Sequence, residues 1–266
     1  MIASCTVVES HASFDPSSES VWDRLWRYQP SDDKDDALLL RERRGPRWQL
    51  VARCLEDTFG RIAGLRTIEL GSGRGDLSVM LAQQGAHVTL MDRSDRALNA
   101  ARKRFERLGL SAQFEKGDLL TGQDRWNRDF DVSLSVGVIE HFKGDARTRV
   151  LATHFDVLKP GGLSVVSVPH ARCPPYRLWK SYLEFRGWWP YGMELPYSKH
   201  ELRRRAGAAG FRRVETHTMG FWQSVGSLWG KRLFDRWPDW GHVRSRLDGS
   251  MGWVLVMLAH RDALQR

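Results

Sequence analysis

Residues 67–75, TIELGSGRG, constrain the fold more than any other stretch of the chain. Ile68 and Leu70 alternate with Thr67 and Glu69 as in a buried strand. Glycines at 71, 73 and 75 then turn the chain onto the helical pattern DLSVMLAQQG of residues 76–85. Glycine tolerates positive φ and lets the backbone approach a ligand closely. The helix that follows directs its first free N–H groups at whatever lies over the turn. A glycine-rich turn alone is a weak sign of ligand binding. The next apolar, β-branched run, AHVTLMD over 86–92, ends in Asp92. It stands about 20 residues after the loop begins, where a carboxylate can accept hydrogen bonds from the ribose of a nucleotide-like cofactor. Asp92 also suits the N-cap of the helical run 92–109, and the two roles are compatible.

The segment Glu69-Leu70-Gly71-Ser72-Gly73-Arg74-Gly75 resembles the first motif of the class I S-adenosylmethionine (SAM)-dependent methyltransferases. The G-x-G-x-x-G of dinucleotide dehydrogenases is absent, because Asp76 occupies its third glycine position. Three further segments match that family in order: Lys116-Gly117-Asp118-Leu119-Leu120, the strand and loop from Phe130 to Phe142, and Val157 to Leu163. The resemblance covers 66–169 and is nearest to enzymes acting on small molecules and lipids, including quinone-biosynthesis methyltransferases. It implies a Rossmann-like α/β fold: a seven-stranded, mostly parallel sheet with helices on both faces and an antiparallel last strand. It also implies that SAM lies against Glu69, Gly71, Ser72, Gly73, Gly75, Asp92, Arg93, Asp118, Leu119, Val136 and His141. Asp92 would hold the ribose, and Asp118 the adenine amino group.

Composition fits a soluble enzyme. No apolar run approaches the roughly 20 residues that span a bilayer. The N-terminus has neither a basic start nor a hydrophobic signal core, so the expected location is cytoplasmic. Cys5, Cys54 and Cys173 are too scattered for a disulfide framework, and no His/Cys group has metal-ligand spacing. The net charge of +9 is uneven. Residues 171–250 carry 15 basic and 7 acidic side chains, and 8 of the 12 tryptophans fall between Trp179 and Trp253. Basic residues among tryptophans fit an acidic or lipid-like substrate, an anionic membrane surface or nucleic acid. They fit equally an Arg-rich surface over a small Trp-filled core.

The pattern divides the chain into N-terminal helices and a lid (1–60), a SAM-binding core (61–170), and substrate-recognition insertions with the last two strands (171–266). A helical turn around Trp22 and Trp26 comes first, SDDKDD over 31–36 interrupts, and helix resumes over 37–58. Strands follow at 86–91, 112–115, 130–136, 162–168 and 211–218. A seventh lies within 252–261, and the resemblance implies that it inserts antiparallel between the fifth and sixth. The helical, Trp-rich insertions 171–197 and 219–250 form a cap, where Tyr176, Tyr182, Trp188, Trp189, Tyr191 and Tyr197 are candidate substrate walls.

Methyl transfer from a sulfonium is an in-line displacement that needs proximity first, and a base only when the nucleophile carries a proton. His141, beside Glu140 at the end of the fourth strand, and His170, after the fifth, lie at the sheet edge where ligands collect. The alternative for Glu140 and His141 is a capping role. Arg41, Arg43, Arg44, Arg47 and Arg74 are candidates for the cofactor carboxylate; a solvated helix face is the plainer reading of the first four. The implied partner is a small-molecule or lipid-like acceptor, and arginines such as Arg172, Arg177 and Arg186 are candidates to engage an acidic group on it. Peripheral membrane contact is compatible with this. Val136-Gly137-Val138-Ile139 replaces the Asn/Asp-Pro-Pro-aromatic tetrad of base-amino methyltransferases, which disfavours nucleic acid. Ribose or ring-carbon methylation, or a binding protein without turnover, stay as alternatives.

Overall fold

A computed structural model describes residues 22, 24–27, 30–121, 128–228 and 243–263. Two helices, α1 (Asp32–Arg44) and α2 (Pro46–Phe59), precede a sheet of β1 (Arg66–Leu70), β2 (His87–Asp92), β3 (Gln113–Lys116), β4 (Phe130–Val136), β5 (Leu158–Pro169), β6 (Arg213–Met219) and β7 (Val254–His260). The strand order is β3-β2-β1-β4-β5-β7-β6. β1 to β5 run parallel, and β7 lies antiparallel between β5 and β6, as the resemblance implies. Helices α3 (Asp76–Ala82), α4 (Asp95–Arg107), α5 (Ala146–Asp156) and α7 (Lys199–Ala208) cover the sheet. Helices α6 (Pro174–Phe185) and α8 (Phe221–Leu228) lie in the insertions, followed by the short α9 (Asp248–Met251). Residues 229–242 of the expected cap fall outside the described residues.

Alternation along the strands builds two cores, one on each face. Leu90, Val132, Leu134 and Val165 join Val51 and Leu55 of α2 and Phe105 of α4. Ile68, Leu70, Met91 and Val166 join Val150 and Leu151 of α5 and Leu202 of α7. Each fully buried aliphatic side chain contributes about 1.5–3 kcal/mol. The crossing point, where β1 leads to β2 on one side and β4 lies on the other, opens the crevice at the strands' C-terminal ends.

One expectation fails. Residues 31–36 do not interrupt the helix: α1 starts at Asp32, with Ser31 at its N-cap position. Asp32, Asp33 and Asp35 fall in its first turn, where negative charge favours the positive end of the helix dipole. Asp35 turns inward and is buried. Its Oδ1 accepts from Arg74 of the glycine loop at 2.8 Å, and Oδ2 accepts from Arg107 of α4 at 3.0 Å. Arg104 Nε stands 2.8 Å from Oδ2, off the hydrogen-bond direction, while its Nη1 donates to Asp76 at 2.5 Å. An acid run in α1 thus ties the N-terminal helices to the loop.

Removing one partner from a buried ion cluster leaves the others uncompensated. Asp35→Ala is expected to destabilise the protein by about 3 kcal/mol in urea unfolding, whereas the exposed Lys34→Ala stays within about 0.5 kcal/mol. Equal midpoints for the two variants would mean that the cluster contributes nothing.

Candidate active site

β1 ends in Glu69 and Leu70, and the chain turns through Gly71 (φ +71°), Gly73 (φ +53°) and Gly75 (φ +69°). Side chains are excluded here by space as well as by φ. A Cβ on Gly71 would lie 2.8 Å from Val138, and one on Gly73 would lie 2.7 Å from the Trp26 ring. Glu69 is buried near the end of β1. Its buried carboxylate accepts from Ser78 N (3.2 Å) and Ser78 Oγ (2.5 Å), bracing the loop from beneath. Burial pushes its pKa up to about 7, against those hydrogen bonds. Gly71 N and Ser72 N both donate to Met91 O, at 2.8 and 2.9 Å. Ser72 Oγ is buried without a hydrogen-bond partner among the described residues.

Asp92, at the tip of β2, accepts from Gly73 N on Oδ2 and from Ser94 N on Oδ1, both at 2.9 Å. Ser94 itself caps α4, accepting from Ala97 N, so the cap role of Asp92 passes to its neighbour. Arg93 is half-buried beside it. Asp118, beyond β3, accepts from Leu120 N at 2.8 Å. The next residue, Leu119, is buried and accepts from Thr153 through its carbonyl at 2.6 Å. Val136 closes β4 half-buried, and Gly137 N donates to Ser167 O of β5. The cofactor-site residues implied by the resemblance therefore stand at or just beyond the C-terminal ends of β1, β2, β3 and β4, along one sheet edge. A crevice with backbone approach at three glycines, a carboxylate on each flank and an unpartnered buried hydroxyl suits a nucleoside with a polar tail.

The two histidines occupy different settings. His141 lies in a short 3₁₀ turn, Ile139–His141, with its side chain 8% exposed. Its Nδ1 is 2.8 Å from Met193 O. A carbonyl only accepts, so Nδ1 carries the proton and Nε2 holds a free lone pair. Burial lowers the His141 pKa to about 4 against that hydrogen bond, with Lys180 adding to the lowering. Nε2 stands 4.0 Å from Glu140 Oε1, and the Trp22 ring meets the imidazole edge-on at 4.8 Å. His170 is buried, with Nδ1 donating to Gly252 O at 3.0 Å and Nε2 without a hydrogen-bond partner among the described residues.

The fold adds a group that linear spacing concealed. Glu194 comes up beside Glu140 and His141, so that one ligand atom from each lies within 4.8 Å of the others. Its carboxylate accepts from Tyr176 of α6. Burial and the facing Glu194 hold the Glu140 carboxyl well above the usual range, and burial raises Glu194 as well. Two adjacent buried carboxyls oppose each other's ionisation. The segment is stitched down by Leu195 N to Glu140 O, Tyr197 N to Pro169 O and Ala171 N to Tyr197 O. Tyr197 is therefore core, fully buried beneath the Arg147 guanidinium 3.5 Å from its ring centroid.

Among the arginines, Arg74 is committed to Asp35, and Arg43 donates to Gln83. Arg47 departs from the solvated-face reading. It donates to Glu42 at 2.6 Å and to Ser167 Oγ of β5 at 3.2 Å. Burial opposes its charge, but Glu42, Asp76 and Glu69 outweigh this and raise its pKa. Its place after Gly45-Pro46, at a helix start, is the signal that could have separated it from Arg41–Arg44. Glu194 had no such signal: it sits in an irregular Trp- and Pro-bearing segment. Arg172, Arg177 and Arg186, expected to meet an acceptor's acidic group, are exposed.

Residues 68–162 match a family profile described as a methyltransferase domain. The chain is 37% identical over 105 residues to a ubiquinone biosynthesis O-methyltransferase from Ruegeria pomeroyi, covering 40% of this chain and 41% of that one. To the enzyme of the same name from Paramagnetospirillum magneticum it is 29% identical over 198 residues, or 69% and 72% of the two. It spans less than half the length of the first curated relatives it matches. Among solved structures, a possible histamine N-methyltransferase from Thermotoga maritima aligns with a TM-score of 0.59 at 19% identity, covering 91% of this chain and all of that one. A magnesium protoporphyrin IX methyltransferase from Synechocystis with bound SAH aligns at 0.57 and 17%, covering 91% and 94%. The fold and the loop sequence define a Rossmann-like nucleotide-site protein. More particularly, residues 68–162 match the methyltransferase domain, and the chain shares its fold with SAM-dependent methyltransferases.

The lowered pKa of His141 carries a stability consequence. The unfolded chain takes up a proton near pH 6.5 and the folded one only near 4, so stability present at neutral pH is lost as pH falls through that window. Between pH 7 and pH 5 the wild type is expected to lose about 2 kcal/mol relative to His141→Gln in urea unfolding. A difference independent of pH would show that His141 is protonated equally in both states.

Proposed function

We propose that this chain binds SAM across Gly71–Gly75 and transfers its methyl group to a hydroxyl on a small, apolar or lipid-like acceptor. The observation that carries the reading is the glycine loop locked by the Asp92 carboxylate, next to a neutral histidine with its lone pair free. Asp92 and Asp118 would receive the ribose and adenine, and Ser72 and Arg47 would face the amino-acid end, where a guanidinium suits a carboxylate. When bound, SAM supplies an electrophilic methyl group on a sulfonium.

The chain's own residues then have three tasks. The loop and strand ends fix the two reactants in line. Trp22 and Trp26 cover His141 and Gly73, shielding the reacting centre from water. His141 Nε2, oriented by Met193 O, accepts the proton of the acceptor hydroxyl. His170, with its own unpartnered Nε2, is the second candidate base, and Glu140 is placed to hold the acceptor or the imidazole. The names of the curated relatives support oxygen as the methylated atom, and the apolar aromatic cover supports an acceptor with an apolar body.

Two measurements test this. Calorimetry is expected to show SAM binding by the wild type and a loss of about 1.5–3 kcal/mol in Asp118→Ala and at least as much in Asp92→Ala. Unchanged binding in both would remove the cofactor assignment. With a phenolic acceptor identified by methyl transfer from labelled SAM in cell extract, His141→Gln is expected to lower kcat by roughly 10²–10⁴ while leaving SAM binding intact. If His170→Gln alone has that effect, the base is His170.

A further inference from the structure

Helix α6 carries apolar side chains on its outer side as well as its inner one. Tyr176 and Lys180 are buried against the site, Tyr176 bonding to Glu194. On the opposite side Leu178, Tyr182 and Phe185, spaced i, i+4 and i+7, are 64%, 50% and 87% exposed. Trp188 extends the row at 38% exposure, with its ring centroid 6.4 Å from that of Tyr182. Single exposed aliphatics are ordinary, but a contiguous apolar row on one helix face marks an interaction surface.

The charges beside the row identify its partner. Arg172, Arg177 and Arg186 are all exposed, and the Arg186 guanidinium lies 4.1 Å from the Trp188 ring centroid. Glu184, the single acid of α6, is taken up by Lys180. The surrounding segment 171–250 carries 15 basic and 7 acidic side chains. A second copy of the chain would set these arginines against their own images. A negatively charged surface with an apolar layer beneath it complements both features at once, since aromatic rings and arginine stems partition at the headgroup boundary.

We propose that α6 with Trp188 docks this protein on an anionic phospholipid bilayer, placing the mouth of the site at the membrane surface. The helix begins five residues after the end of β5, and its Tyr176 bonds to Glu194 beside His141, so it stands at the sheet edge that carries the site. Docking there would present an apolar acceptor to the crevice without passage through water. The surface argument stands on α6 alone and does not require the methyl-transfer reading.

The test is co-sedimentation of the full-length protein with vesicles of phosphatidylcholine mixed with phosphatidylglycerol, against phosphatidylcholine alone. The wild type is expected to pellet with the mixed vesicles and to be released by salt. Phe185→Ser and Leu178→Ser should each weaken partitioning about tenfold, and Arg177→Glu or Arg186→Glu about fivefold or more. Calorimetric SAM binding, measured without vesicles, should be unchanged in all four and reports folding independently. Absence of the wild type from the anionic pellet overturns the proposal, as does binding indifferent to Phe185 and the arginines. A concentration-dependent dimer that Phe185→Ser dissociates, with no vesicle binding, assigns the face to a second copy and likewise overturns it. Loss of SAM binding with vesicle binding intact sinks the proposed function and leaves this surface standing.

Discussion

One buried carboxylate holds the site in shape. Asp92 spends one oxygen on Gly73 N and the other on Ser94 N, which joins the glycine loop after β1 to the start of α4 after β2. Burial raises the Asp92 pKa, opposed by the backbone N–H groups of Ser94, Gly73 and Arg93 and by the Arg93 charge, which lower it. Each oxygen keeps a second lone pair for a ligand hydroxyl. The residue that would read the ribose also sets the geometry of the loop that would carry the rest of the cofactor.

The same logic extends outward in layers. Glu69 braces the loop from below through Ser78, and Asp35 clamps Arg74 from the side. Trp26 lies where any Cβ on Gly73 would be. Loop, N-terminal turn and α1 therefore constrain one another. A substitution at Gly73 would displace the aromatic cover as well as strain the backbone.

The strands, the glycine turn and the two acids of the cofactor edge were legible because they follow short-range rules: period-two alternation, positive φ at glycine, an acid at a strand tip. Where those rules ended, the reading failed or fell silent. The run SDDKDD has no apolar periodicity and was expected to break the helix, yet its aspartates favour a helix start and Asp35 finds three arginines far away in sequence. Arg47 and its neighbours are alike in sequence, and only the turn at Gly45-Pro46 sends Arg47 to Ser167. Glu194 depends on an irregular segment whose path is fixed by backbone bonds to Glu140, Pro169 and Ala171, none of which leaves a pattern in the chain.

The cluster under Trp22 shows how burial allocates chemical roles. A histidine with a pKa near 4 is a poor acceptor of a free proton from water, but its task in the proposed reaction is narrower. It must present an unprotonated nitrogen at every physiological pH and draw a proton only as the hydroxyl oxygen acquires a bond to carbon. Burial ensures the first, and Met193 O fixes which nitrogen is free. Once His141 takes a proton, the resulting cation needs a counter-charge, and Glu140 at 4.0 Å with Glu194 behind it supplies one. His170 has no comparable partner among the groups found around it; its Nδ1 meets only the Gly252 carbonyl. The difference in surroundings, more than either histidine's position at the sheet edge, is what favours His141 as the base.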